Sequence, residues 1–366
     1  MINVTRATLP ALEDYIKYLR EIWATRWLTN DGQLLQLFRQ RLESYLGVNR
    51  LVLVANGTLA LHLALKALEL KGEVITTPFT FAATTNAILW EGLVPVFADI
   101  DPNTFNIDPR QVEKKITGKT AAILATHVYG NPCDVEELER IASQHNLKLI
   151  YDAAHAFGVE YKGGSVLAYG DLSTLSFHAT KVFNTIEGGA IVARNEELFE
   201  KLKLMRNHGI KSEDEVVLPG TNAKMNEFQA AMGLCNLENI DASILSRKRI
   251  YEHYREKLSH TGIQFQEVGA SRYNYAYMPV CFGSAQQRDQ VYSELIENGI
   301  KPRKYFFPLA ANFDYFRREG VNLVKQYGLE TAQDVANRVL CLPLYPDLEI
   351  PVADRIVDII EGLTRR

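Results

Sequence analysis

Along the first two-thirds of the chain, short runs of aliphatic and β-branched residues alternate with stretches whose apolar positions recur every three or four residues. The runs predict strands over Leu51–Val54, Glu73–Thr77, Val94–Ala98, Ala121–Thr126, Leu147–Asp152, Thr174–His178 and Ala190–Ala193. The helical spacing predicts helices over Thr58–Leu68, Ala82–Trp90, Val135–His145 and Leu198–Arg206. Two earlier helices, Leu12–Ile22 and Leu34–Leu46, flank the turn Thr29-Asn30-Asp31-Gly32. Apolar strands, each bounded by a polar or glycine-rich turn and followed by a helix, belong to a mostly parallel sheet covered on both faces. The pattern therefore predicts one large α/β domain over residues 1–240, with the two N-terminal helices ahead of a seven-stranded sheet. Beyond it the texture changes. A long helix over Ala242–Leu258 leads to strands over Tyr275–Cys281 and Val339–Pro343 and helices over Gln287–Glu297 and Ala353–Thr364, which predict a smaller α+β domain over 241–366.

Composition narrows the classes that remain. At 366 residues, 47% apolar and 23% charged, the chain can bury the cores of two such domains. Its 40 basic and 44 acidic side chains leave a net charge of −4, against a nucleic-acid partner. No apolar run approaches the ~18 residues of a membrane span, and the first residues lack the apolar centre of a signal peptide. Cys133, Cys235, Cys281 and Cys341 lie far apart with no CxxC pair, as reduced thiols of a cytoplasmic protein do. The eight histidines show no HExxH and no paired spacing, so no metal site is expected. No GxGxxG follows the first strand, and neither a P-loop nor a GxSxG elbow occurs. Some other ligand must occupy the carboxyl edge of the sheet, where open α/β folds bind.

Lys181 closes the segment Ser176-Phe177-His178-Ala179-Thr180-Lys181 just past a predicted strand. Desolvation there would lower its pKa toward the free amine that imine chemistry requires, although a lone loop lysine is usually a solvated one. Asp152 ends another apolar strand and opens Asp152-Ala153-Ala154-His155. It is placed to hold a positive charge on a buried ligand, or alternatively to cap a helix. A Schiff-base lysine with a carboxylate for a pyridinium nitrogen is what pyridoxal phosphate (PLP) needs. A phosphate cradle is available where the strand Leu51–Val54 passes through Asn56-Gly57-Thr58 into a helix start, with Thr58 as a plain N-cap the rival reading. Ser176 can add a hydroxyl, and Phe81 can stack on the ring or pack in the core.

These residues, taken in order, resemble the DegT/DnrJ/StrS sugar aminotransferases, which are fold-type-I PLP enzymes. The matching stretches include WLTNDG (27–32), ANGTLALHLAL (55–65), TTPFTFAATTNAI (76–88), DIDPNTFNID (99–108), HVYGNPCD (127–134), DAAHAFG (152–158) and SFHATKVFNTIEGGAI (176–191). They continue with RNHGI (206–210), GTNAKMNEFQAA (220–231), KPRKYFFPL (301–309) and LCLPLY (340–345), so the resemblance covers nearly the whole chain. It implies that Lys181 forms the Schiff base and shuttles the proton, that Asp152 pairs with the ring nitrogen, and that Phe81 stacks on the ring. Gly57, Thr58 and Ser176 would hold the phosphate. His155 stands where many relatives have glutamine, beside the ring or its phenolic oxygen. Asn222 matches an asparagine that relatives lend to the neighbouring subunit's phosphate, which implies a homodimer with shared active sites. Thr221, Ala223 and Lys224 depart from the common pattern around it.

The resemblance further implies L-glutamate as amino donor and a dTDP-ketosugar as acceptor. The segments at 27–30, 220–227 and 303–309 look most like members that aminate C4 of dTDP-4-keto-6-deoxyglucose, with amination at C3 of a 3-keto isomer the near alternative. Arg303, Lys304 and Tyr305 would meet the diphosphate, lie at the dimer interface, or form a basic turn. Thr29, Asn30 and His208 are further substrate contacts, with capping and turn roles as their rivals. Three other functions compete. A PLP sugar dehydratase would replace Lys181 with histidine. A lysine aldolase would have no use for a ring acid and a phosphate cradle together. A regulatory PLP module would need a DNA-binding extension, for which there is neither spare length nor a basic segment.

Overall fold

A computed structural model describes residues 1–316 and 322–364. Its centre is a seven-stranded sheet in the order Leu51–Val54, Gly189–Ala193, Leu172–Ser176, Lys148–Asp152, Thr120–Thr126, Glu73–Thr76, Val94–Phe97. Only Gly189–Ala193 runs antiparallel to its neighbours. Alternate side chains of a strand enter opposite layers. Leu51 and Leu53 join Phe38 and Leu42 of the helix Gln33–Leu46 in one core, whereas Val52 and Val54 join Ala60, Leu61 and Ala64 of the helix Gly57–Ala67 in the other. With both faces covered, each buried leucine or valine contributes ~1.5–3 kcal/mol over leaving it in water.

The expected strands and helices of the sheet are all present, with one displacement that matters. The strand expected at Thr174–His178 is Leu172–Ser176, so Lys181 stands five residues beyond its end, on a turn. The helix Glu227–Glu238 has no counterpart among the expected elements. It buries Ala230 to Asn236 without a break, between the helices Leu12–Thr25 and Gln33–Leu46, and so shows no polar face. Gly233 is needed there, because a Cβ would lie 2.6 Å from the Phe38 ring.

The second part of the chain begins with the helix Ile240–Leu258 and contains an antiparallel sheet of Gln264–Phe265, Met278–Cys281 and Val339–Leu342. Helices Ala285–Glu297, Glu330–Arg338 and Ile350–Thr364 accompany it. Two features tie the parts together. Asp99, just past the edge strand of the large sheet, accepts the N–H groups of Thr331 (3.0 Å) and Ala332 (2.8 Å), so it caps a helix of the second part. The first residues form an arm. Ile2–Asn3 pairs in parallel with Ile300–Lys301, the Val4 carbonyl accepts from Leu344 N–H, and the Thr8 carbonyl accepts from Asn184 Nδ2, three residues past Lys181. No helix among the described residues is long and apolar enough to cross a membrane.

Candidate active site

Parallel strands deliver their carboxyl ends to one edge, and there the sheet opens into a cavity of about 650 Å³. Gly57 and Thr58 reach it from the start of the helix Gly57–Ala67, Asp152 and Ser176 from two strand ends, and His155 and Lys181 from the turns that follow them. Phe81 lies in its wall at the N-cap of the helix Ala82–Trp90, 51% exposed, which excludes core packing as its role. The far side comes from the second part of the chain: Tyr277, Arg303, Tyr305 and Phe306.

The helix start at Gly57 is capped by Asn56, whose side chain accepts the Leu59 N–H at 2.9 Å, so Thr58 is not the cap. The amides of Gly57 and Thr58 precede the first intrahelical bond, from Ala60 N–H to the Asn56 carbonyl (3.1 Å), and are of the kind that receive an anion. A Cβ on Gly57 would stand 2.7 Å from that of Ser176. One on Gly189 would stand 2.7–2.8 Å from the Asn56 backbone. Glycine at both positions lets the helix start press against the adjacent strands Leu172–Ser176 and Gly189–Ala193.

Asp152 is 5% exposed and no helix follows it; its Oδ1 accepts the Ala154 N–H (3.1 Å) and its Oδ2 the Thr84 hydroxyl (2.7 Å). Burial raises its pKa; the bonds from Thr84 and Ala154 and the charge of Lys181 oppose the rise without cancelling it. Burial lowers Lys181 to about 8, with Asp152 pulling the other way and Arg303 adding to the fall. His155 is held well below its ordinary value by burial and by Lys181, so its ring is neutral. That ring stacks on Phe306 (5.9 Å, 2°) and meets the edge of Tyr277 (4.8 Å), and among the described residues its buried Nδ1 has no hydrogen-bond partner. A base, a buried acid, an unpaired ring nitrogen and open helix amides around one cavity fit a phosphorylated pyridine aldehyde.

The remaining expected contacts divide. Arg303 lines the cavity with its guanidinium 4.2 Å from the Tyr305 ring centre, and its backbone is paired with Cys341. Lys304 does not line it. Its ammonium binds Asp289 and lies over the Tyr292 ring, both on the helix Ala285–Glu297, so in its own chain it stands apart from the cavity. Thr29, Asn30 and His208 are exposed and also lie outside the chain's own cavity, Asn30 and His208 at positive φ in turns. Asn222 is exposed and outside it too, its Oδ1 accepting from Lys224 Nζ at 2.8 Å. Sequence reasoning did not single out Tyr277, Phe306 or Thr84. The first two come from segments far along the chain, and the only signal of the third was the density of threonines in an otherwise apolar stretch.

The profile of the DegT/DnrJ/EryC1/StrS aminotransferase family matches residues 11–361. A dTDP-4-amino-4,6-dideoxy-D-glucose transaminase of Shigella dysenteriae is 44% identical over 366 residues, covering 99% of both chains. Among solved structures, DesI, determined in the presence of its TDP-sugar product, superposes over 100% of this chain and 93% of its own, with a TM-score of 0.92 and 34% identity. NtdA of Bacillus subtilis, determined with bound cofactor PMP, superposes over 97% of this chain and 82% of its own, with a TM-score of 0.88 and 30% identity.

Proposed function

This chain belongs to the DegT/DnrJ/EryC1/StrS aminotransferase family of PLP-dependent, fold-type-I enzymes, and from that premise we propose that it carries an amino group from L-glutamate to C4 of dTDP-4-keto-6-deoxy-D-glucose, yielding dTDP-4-amino-4,6-dideoxy-D-glucose and 2-oxoglutarate. The observation that carries the reading is the meeting of Lys181, Asp152 and the unpaired Nδ1 of His155 in one cavity beside the open helix start at Gly57. The choice of sugar rests on the full-length likeness to a transaminase of that name.

When bound, PLP supplies an aldehyde for the amine and a ring that draws electron density from the carbon being deprotonated. The chain's residues do the rest. Lys181, held near 8, offers a free amine close to neutral pH and moves the proton to and from the α-carbon. Asp152 would accept a hydrogen bond from the protonated ring nitrogen; Gly57, Thr58 and Ser176 would bind the phosphate; Phe81 would cover a ring face, and His155 Nδ1 would meet the ring's oxygen. Arg303 and Tyr305 receive the anionic substrates. With a net charge of −4 over the whole chain, that attraction has to be local.

A homodimer completes the proposal. Asn222, turned out of its own cavity, would reach the phosphate of a partner subunit, and Thr29, Asn30 and His208 would meet substrate only across that interface. The division of the chain at about residue 240 belongs to the same reading, with the N-terminal arm bridging both parts.

Purified protein supplied with PLP is expected to show an imine-type visible band that bleaches with L-glutamate; a protein whose spectrum is unchanged by PLP would overturn the reading. Incubation with glutamate and each dTDP-ketosugar, followed by NMR, should place the new amine on C4. An amine formed only at C3 would overturn the position.

A further inference from the structure

Behind Asp152 lies a row of three buried hydroxyls that the proposed reaction does not use. Thr84 Oγ1 is 2.7 Å from Asp152 Oδ2, Thr80 Oγ1 is 2.8 Å from Thr84 Oγ1, and Thr126 Oγ1 is 3.0 Å from Thr80 Oγ1. Their residues are between 0% and 3% exposed, so water does not compete for these bonds. The elements dictate the row. Thr126 and Asp152 are register partners at the ends of adjacent parallel strands, while Thr80 and Thr84 come from the entry and first turn of the helix Ala82–Trp90.

A hydroxyl has one proton to give. With Asp152 ionised, Thr84 spends its proton on the carboxylate, so the contact behind it needs the proton of Thr80, and the next needs that of Thr126. All three O–H dipoles then point at Oδ2, and each bond polarises the one ahead of it. Protonating Asp152 at Oδ2 would set the acid's proton against this row. The other carboxylate oxygen, Oδ1, is fixed by the Ala154 amide in the turn that leads to His155.

We propose that Thr84, backed by Thr80 and Thr126, is a positioning residue that keeps Asp152 a carboxylate and sets which partner holds the proton between Asp152 and the cofactor's ring nitrogen. The inference rests on the reading of Asp152 given above and names the device that makes it work. Burial pushes the Asp152 carboxyl toward its neutral form, and the Thr84 bond is the largest of the influences opposing it. Other charged or titratable side chains sharing the cavity are Lys181, Arg303, Glu187, His62, His155 and His178, with the phenols Tyr277 and Tyr305; of these, Lys181 acts on Asp152 directly. Without the Thr84 hydroxyl the proton moves from ring nitrogen to carboxyl. The ring loses its positive charge, and proton removal from the donor slows.

The test uses holoenzyme of the wild type, Thr84→Val and Thr84→Ser. For Thr84→Val the pH midpoint of the cofactor's visible absorbance should rise by about one unit, because a neutral ring no longer disfavours the protonated imine, and single-turnover reaction with L-glutamate should slow by roughly tenfold or more. Thr84→Ser should restore both. A midpoint unmoved in Thr84→Val, even with a lower melting temperature or weaker cofactor retention, overturns the proposal, since packing alone would leave it unmoved. If Thr84→Val does not fold, Thr80→Val is read instead: a smaller rise supports the row, and no rise overturns it. A wild type that never acquires the visible band would overturn the PLP reading itself, a result distinct from a wild type and variant that titrate together.

Discussion

Lys181 is governed by a contest between burial and charge. Burial lowers its pKa to about 8, while the nearby Asp152 carboxylate resists. Below that value the amine is protonated and cannot attack a carbonyl, and above it the free amine is already the majority. Capture of PLP by apoprotein should therefore accelerate about tenfold per pH unit up to about 8 and level off beyond, as followed by stopped-flow absorbance. A lysine with an ordinary pKa would keep accelerating to about 10.4. Lys181→Ala is expected to lose turnover altogether while keeping the fold. Asp152 supplies the opposite case. Its folded pKa is raised, so its ionisation costs stability above the unfolded value, and that cost is relieved as pH falls through the raised one. Asp152→Asn should leave the melting temperature of the apoprotein at or above that of the wild type, and should weaken cofactor retention in equilibrium dialysis by roughly tenfold or more. An Asn variant whose apoprotein melts well below the wild type would contradict the sign.

At the scale of elements, the glycine at position 57 makes the site by what it leaves out. A methyl there would collide with Ser176, and the helix start would have to back away from the strand. Gly57→Ala should therefore reduce inorganic phosphate and PLP affinity together, measured by calorimetry, with little loss of helix content. Capping works across elements as well: Glu227, 3% exposed, accepts the N–H groups of Leu34 (2.9 Å) and Leu35 (3.1 Å) at the start of the helix Gln33–Leu46. Glu227→Ala should cost about 1–3 kcal/mol in urea unfolding. Most elements of the large sheet were legible because their strands carry apolar centres and each turn carries its own polar punctuation. The helix Glu227–Glu238 was not, since a helix buried on all sides has no period to read. The strand before Lys181 was misplaced by two residues because Leu172-Ser173-Thr174-Leu175-Ser176 mixes hydroxyls with leucines, and only the ladder with Gly189–Ala193 fixes where it ends. Lys181, Asp152 and the Gly57 turn were legible as strand-end chemistry. Lys304 was not, because its two partners on the helix Ala285–Glu297 are invisible until the chain folds.

For the whole molecule, the position of Asn222 outside its own cavity makes a quantitative demand on the proposed dimer. Lys181→Ala and Asn222→Ala chains, each deficient alone, should regain about a quarter of wild-type activity when unfolded together and refolded as a mixture. Half of the dimers would be hybrids, and each hybrid would carry one site with neither substitution. No recovery, with hybrids verified by mass, would remove Asn222 from the shared site.

The N-terminal arm adds a condition in time. Chains are made from the amino end, yet Ile2 and Asn3 find their strand partner only once Ile300 and Lys301 exist, and Val4 waits for Leu344. During synthesis the sheet can gather its seven strands while that arm is still loose and the wall bearing Arg303 and Phe306 has yet to be made. A ribosome-bound chain halted before residue 300 should thus hold a folded sheet with an open, unwalled cavity. Residues made some three hundred positions ahead of their partners are among the last to be put in place.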